Sequence, residues 1–432
     1  MTVYNVMNRG VIMISRFVCL QCLSVFFSLT LLAACGGGGG GGGSTDTTPV
    51  AHAGPDQNVM VGWKVTLDGS GSSNASRYSW LLTPPATSTA ALLSSTVSKP
   101  TFTADKAGLY TISLAVSNGT VTSSSDTGTI KAVSPRAVPD TGQTTSYGGW
   151  DDSYYLSSAP SYSNNGNGTI TDNVTSLMWQ QCTALKSGPT CSGGTLKAYN
   201  WYEATGTVDV TSNPTGTNAC GGTFLGHSDW RLPTDFELMT IADYGLLSAP
   251  AITTAYFPGT GSWFYWSSPG SAVSSTDAWA TEFNAGTTMA IPKTSGTTVV
   301  RCVRGEQSTP VLTDNNDGTI TDNVTGLLWQ KQDDGLTKNW ANALTYCEGL
   351  TLAGSGAWRL PNVKELRSLA DNTKYGPSID TANFPSTKTS YYWASTSVAS
   401  NPGNFAWTVS FNSGSVDNTE NKTFQHYVRC EQ

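Results

Sequence analysis

GTITDNVTSLMWQ at residues 168–180 and GTITDNVTGLLWQ at residues 318–330 are nearly the same sequence written twice. Working outward, the likeness continues. WRLPTDFEL at 230–238 returns as WRLPNVKEL at 358–366, and FYWSSP at 264–269 as YYWAST at 391–396. AWATEFNAG at 278–286 returns as AWTVSFNSG at 406–414, and VVRC at 299–302 as YVRC at 427–430. The chain therefore carries an internal repeat. The offset falls from 150 residues at the first motif to 128 at the second, so copy 1 holds about 22 extra residues between Trp179 and Trp230. Five tryptophans recur as pairs: 179/329, 201/340, 230/358, 266/393 and 279/407. What two copies share is what the fold demands, so these indoles are expected in the core.

Local chemistry predicts the elements of each copy. Asn339 caps a helix that places Trp340, Leu344 and Cys347 on one face, at i, i+4 and i+7. Thr234-x-x-Glu237 and Asn362-x-x-Glu365 are capping boxes opening a second helix in each copy. Short aromatic strands and glycine turns follow. Glu237 and Glu365 match between copies, but as helix caps rather than as a pair of carboxylates for glycoside hydrolysis.

The whole chain has 432 residues, 45 of them glycine and 14 tryptophan, with only 12% charged. Coiled coils and helical solenoids need far more charged helix formers. A net charge of −7 speaks against a nucleic-acid partner. His52, His227 and His426 fall in different places without a repeated orienting partner, so no Ser-His-Asp or Cys-His system is expected and the chain reads as non-enzymatic.

At the N-terminus, Arg9 and Arg16 precede an uncharged apolar run from Phe17 to Ala34, ending Leu32-Ala33-Ala34-Cys35 before eight glycines. The charged, apolar and small-residue regions describe an export signal; an uncleaved membrane anchor is the alternative. Leu-Ala-Ala-Cys resembles the lipobox of bacterial lipoproteins. The resemblance implies that residues 1–34 are removed and that Cys35 is acylated, with the lipid bilayer as its partner. Gly36 after that cysteine implies sorting to the outer membrane. Residues 35–48 read as the lipidated cysteine and a flexible tether.

Six cysteines remain beyond the signal and Cys35, and an even number in an exported chain reads as disulfides. Cys220 to Cys302 and Cys347 to Cys430 span 82 and 83 residues, from first helix to last strand of each copy, which predicts these two pairs. Cys182 and Cys191 have no counterparts and are expected to staple the insertion of copy 1.

Two further resemblances cover the rest. Residues 49–133 alternate apolar and polar residues between glycine turns, with AGPDQ at 53–57, LDGSGS at 67–72, YSW at 78–80 and PTFTADKAGLYTISLAVSNG at 100–119. This resembles the PKD family, an immunoglobulin-like β-sandwich, with Trp80 as its buried aromatic. Trp80 is followed by Leu-Leu-Thr-Pro-Pro, not by the acidic stretch of many PKD domains. The repeated motifs resemble the Lcl C-terminal domain family, with copies at 137–306 and 307–432. That resemblance implies two α+β domains similar to C-type lectins, and hence a multi-domain chain built for binding.

Ligand-site candidates follow from this. Trp263, Tyr391 and Tyr392 are candidate platforms for a neutral sugar. A sulfated glycan is disfavoured, since copy 2 has nine basic against twelve acidic residues. Asp314, Asn316, Asp317 and Asp322 could offer oxygens to Ca²⁺, the alternative being a hairpin turn of Asn/Asp-Gly type. The expectation is an envelope-anchored surface lipoprotein acting in adhesion or ligand binding, with a glycan or surface protein as partner. The alternatives are a structural scaffold binding envelope proteins and a carbohydrate-processing enzyme.

Overall fold

The computed structural model describes residues 48–155, 158–307 and 309–432. The signal, the lipobox with Cys35, and the glycine tether lie outside the described residues. Residues Thr48–Gln432 form one compact unit.

The first layer pair is a sandwich. Strands β1 (Gln57–Met60), β3 (Arg77–Thr83), β5 (Gly108–Ser117) and β6 (Asp126–Val133) form one sheet in the order β1-β6-β5-β3. Strands β2 (Lys64–Thr66) and β4 (Thr101–Thr103) form the other. Period-2 alternation buries Tyr110, Ile112, Leu114 and Val116 of β5 on one face. Trp80 is buried among them and satisfies its indole N–H on the Val97 carbonyl at 3.0 Å. This immunoglobulin-like PKD domain docks on the segment joining the two copies. Met60 and Val133 pack on Val311 and Val324, and Lys131 Nζ donates to the Gln307 carbonyl at 3.2 Å.

Each copy opens with a hairpin. In copy 1 these are β7 (Tyr162–Asn164), β8 (Thr169–Asp172) and β9 (Met178–Gln180), followed by the small ribbon β10 (Lys186–Ser187) and β11 (Gly193–Gly194). Helices α1 (Trp201–Thr205) and α2 (Asp235–Thr240) come next. Then come β12 (Phe264–Gly270), β13 (Asp277–Glu282), β14 (Thr288–Pro292) and β15 (Val303–Arg304). Copy 2 repeats the plan with β16 (Leu312–Asp314), β17 (Thr319–Asp322) and β18 (Leu328–Gln330). Helices α3 (Trp340–Glu348) and α4 (Val363–Ser368) and strands β19 (Tyr391–Ser397), β20 (Phe405–Ser410) and β21 (Val416–Asn421) complete it.

The expected caps form. The Thr234–Glu237 and Asn362–Glu365 boxes close in both directions, and Asn339 accepts from the Asn342 N–H. All three expected disulfides form: Cys220–Cys302 and Cys347–Cys430, as their equal spacing predicts, and Cys182–Cys191 within the insertion. Nine of the ten paired tryptophans are buried; Trp201 alone among them is only partly covered. The V-R-C motif also has a structural reason. Arg301 and Arg429 are fully buried, each donating to main-chain carbonyls of the opening hairpin: Gln180 and Gln181 for one, Gln330 and Lys331 for the other. Each lies over a phenylalanine, Phe257 and Phe384. These charge-assisted bonds tie the last segment of each copy to its first hairpin.

The two copies are not separate bodies. Their strands make one six-stranded sheet, β12-β13-β14-β21-β20-β19, joined where Thr288 of β14 pairs with Val416 of β21. Helix α2 packs on α4. One hydrophobic cluster runs through both, with Trp179, Leu238 and Tyr265 from copy 1 and Trp329, Leu366 and Tyr392 from copy 2. Satellite clusters around each long disulfide remain private to their copy. The joint also holds a buried ion pair, Asp235 with Arg367, which Asn372 completes by bonding to both.

Candidate ligand-binding clefts

The aromatic candidates do not converge. Trp263 is 45% exposed and precedes β12, while Tyr391 starts β19. These strands are opposite edges of the six-stranded sheet, so the two rings cannot form one platform. Tyr391 stands half-buried beside the His426 ring at 5.6 Å, and His426 in turn meets Glu420 at 2.8 Å. Tyr392 must be withdrawn as a ligand residue. It is 0% exposed, and its hydroxyl donates to Asp333 at 2.7 Å and accepts from the Lys388 N–H at 2.9 Å. Successive strand residues face opposite sides, so the Tyr391-Tyr392 pair puts only one ring outside the core.

The calcium candidates also separate. Asp314 pairs with Lys331 and accepts from the Asn316 N–H. Asp317 accepts from the Thr319 N–H and hydroxyl, at 3.0 and 2.6 Å. Asp322 caps the next turn through the Val324 N–H and Thr325 hydroxyl, at 3.0 and 2.8 Å. Asn316 and Gly318 adopt the positive φ that a tight hairpin needs. The segment is a turn whose side chains satisfy their own backbone. Among the described residues, no group of three or more His, Cys, Asp or Glu is arranged to hold a metal ion.

The insertion of copy 1 builds what the candidates did not. Cys182–Cys191 closes the β10–β11 ribbon, and with the loop before Trp230 it encloses an open cleft of about 840 Å³. Leu185 on the ribbon is 60% exposed, and Phe224 on the facing loop is 41% exposed. Leu185 and Leu225 sit at positive φ, and the Phe224 main chain bonds to that of His227 at 2.9 and 3.1 Å. The Phe224 carbonyl also accepts the Trp230 indole N–H at 2.8 Å. Around these apolar side chains stand Asn164, Asn167, Gln181 and Lys186. A concave, mostly apolar surface with a few fixed polar groups is the usual form of a small-ligand site. Sequence reasoning missed Leu185, Phe224 and Leu225. Leu185 lies in the unrepeated segment, whereas Phe224 and Leu225 stand where copy 2 has Leu352 and Ala353, in the same turn, so only Leu185 was marked by the insertion.

A buried carboxylate pair also exists. Arg359 lies between Glu365 and Glu431, at 2.8 and 2.5 Å. Burial pushes the Glu431 carboxyl well up, and neighbouring Glu365 adds to this. Burial acts the same way on Glu365, but its bonds to Arg359 bring it below the ordinary range. Neither residue lines the insertion cleft.

Comparison with known proteins agrees with the domain reading. The model of the Lcl C-terminal domain matches residues 168–304 and 318–431, and a PKD domain model matches residues 53–131. Among solved structures, the PKD domain from the KIAA 1837 protein is 27% identical, with 21% of this chain and 93% of that one covered and a TM-score of 0.19. The PKD domain of human KIAA0319 is 18% identical, covering 24% and 100%, with a TM-score of 0.20. The adhesin InvE of Yersinia pseudotuberculosis is 12% identical, covering 89% and 97%, with a TM-score of 0.20, too low to bear on function. No curated protein matches the chain. The two repeat matches together span more than half of the sequence, so the chain belongs to the Lcl C-terminal domain family, carried behind a PKD domain.

Proposed function

We propose that this is a non-catalytic binding protein of the bacterial envelope, held to the outer membrane by acylated Cys35, and that it takes a neutral glycan in the insertion cleft of copy 1. The observation that carries this reading is the cleft itself, with Leu185 and Phe224 exposed opposite polar side chains. Apolar faces stack on sugar rings, and amide groups match hydroxyls. The PKD domain suits a spacer. The described chain begins near Asp126, which accepts the Ala53 N–H, at one end of β6. The repeats attach beyond Val133, at the other end. Eight residues of strand span about 25 Å.

The test is a glycan array probed with the exported chain and with its Phe224→Ala and Leu185→Ser variants, each with and without EDTA. Saturable binding lost in both variants and indifferent to EDTA is the expected result. Binding that survives both substitutions, or a blank array with folded protein, overturns the glycan assignment.

A further inference from the structure

The repeat creates two equivalent grooves along the joint between copies, and the chain fills one of them itself. Residues 140–155, at the start of copy 1 and ahead of its first repeated motif, cross over to copy 2. The Tyr244 N–H donates to the Thr141 carbonyl at 2.7 Å. The Ser397 N–H donates to Gln143 Oε1 at 2.7 Å, and the Thr396 hydroxyl to Asp152 Oδ2 at 2.7 Å. Lys364 Nζ donates to the Asp140 carbonyl at 2.9 Å. Gly148 lies so close on Trp340 that a Cβ there would stand 2.7 Å from the ring. Charge agrees at one point: Asp151 of the strap favours the ammonium of Lys422, whose pKa burial lowers.

The repeat alignment carries Tyr244 onto Asn372, Lys364 onto Phe236, Thr396 onto Pro269 and Ser397 onto Gly270. Asn372, Phe236 and Pro269 line an open cleft of about 710 Å³ on the opposite side of the joint. Gln307, Thr309, Pro310 and Val311, from the short connection between β15 and β16, form one wall of it beside Asn58 of the PKD domain, and among the described residues none of them hydrogen-bonds to Asn372, Phe236, Pro269 or Gly270. The Asn372 N–H, mate of the Tyr244 N–H, has no acceptor among the described residues. On the floor, Arg367 is 1% exposed and its Nε has no partner. The charge differs from the filled groove. Phe236 replaces the lysine, and on the rim one cation, Lys374, serves both Asp371 at 3.1 Å and Asp380 at 4.0 Å.

We propose that this second groove docks an extended peptide segment of a partner protein, with an apolar side chain over Phe236 and Pro269 and a Lys or Arg between Asp371 and Asp380. The segment does there what residues 140–155 do in the twin groove, with the charge reversed. This is independent of the glycan reading, which concerns a different cleft.

The probe is a library of random linear peptides displayed on phage and panned against the full chain, followed by titration of the enriched peptide as a synthetic molecule. The expected consensus places an apolar residue beside Lys or Arg. Its affinity falls about tenfold in Phe236→Lys and in the half-buried rim change Asp380→Asn, and about as much when the peptide's own base is replaced by Glu. Phe224→Ala leaves it unchanged. The thermal transition of Asp380→Asn, matching the parent, separates lost docking from lost folding. The proposal is overturned if no peptide is enriched, if the enriched peptides are acidic, or if both groove variants bind them as the parent does. It is also overturned if the chain self-associates and Asp380→Asn disperses the dimer, because the occupant is then a second copy.

Discussion

Copy 1 and copy 2 share their hairpins, helix caps, long disulfide, buried arginine and tryptophans, yet they face their surroundings differently. Copy 2 is covered by residues 140–155, and Trp340 is buried beneath Gly148. Its mate Trp201 has no such cover and keeps part of its ring outside, under Lys293 at 4.6 Å. Copy 1 spends its unrepeated residues on a cleft. The lesson is that the shared residues build the scaffold and the unshared ones make the surfaces. A repeat therefore sorts core from site without any alignment of relatives.

The comparison can be broken most directly at the disulfides. Replacing Cys347 and Cys430 by Ser is expected to cost about 4.5 kcal/mol by chain entropy, against about 2.5 for Cys182 and Cys191, whose loop is short. Denaturant titration of both double variants checks this. A larger loss from the Cys182–Cys191 pair would make the insertion part of the scaffold. Next, Trp340→Ala is expected to cost about 4 kcal/mol and Trp201→Ala about half of that, because only the first leaves a closed cavity. Equal costs would deny the strap its covering role.

The joint gives a sharper test. Arg367→Met alone is expected to cost about 3 kcal/mol, by stranding Asp235 in the interior. Asp235→Val with Arg367→Met installs the residues found at the twin positions, Val363 and Met239, and is expected to recover more than half of the loss. No recovery in thermal unfolding would mean that the asymmetry of the joint is needed for packing and not only for charge.

The smallest effect is on pH. Burial pushes the Asp152 carboxyl of the strap up to about 7, against bonds from Thr141 and Thr396 that draw it down. A carboxyl raised by folding favours the folded state when protonated. Its contribution is full below the ordinary carboxylate range and lost as pH rises towards 7. Between about pH 5 and pH 8 the parent should lose roughly 2 to 3 kcal/mol more than Asp152→Asn. Parallel stability curves would remove Asp152 as a titrating contact.

Much of this was legible because it is local. A capping box spans four residues, a hairpin turn about as many, and a disulfide in a repeat announces itself by equal spacing. Tyr392 shows the same logic neglected. Its mate is Tyr265, both rings are fully buried, and by the rule that shared aromatics are core neither should serve as a platform. The Asp314–Asp322 segment could not be decided that way, because one set of oxygens suits a turn or a cation, and only the hydrogen bonds distinguish them.

The sequence by itself determined the PKD domain, the repeat, the pairing of all six described cysteines, the helix starts and the buried tryptophans. Only the tertiary structure decided that two copies would close into one sheet and one core, that the opening segment of copy 1 would cover copy 2, and where the clefts would open. The reason is range. Caps and turns are satisfied within a few residues, whereas the Thr288–Val416 pairing and the Gln143–Ser397 contact join positions far apart in the chain. No periodicity of hydrophobic residues encodes such contacts. They form because the uncovered faces of each copy have nowhere else to be buried.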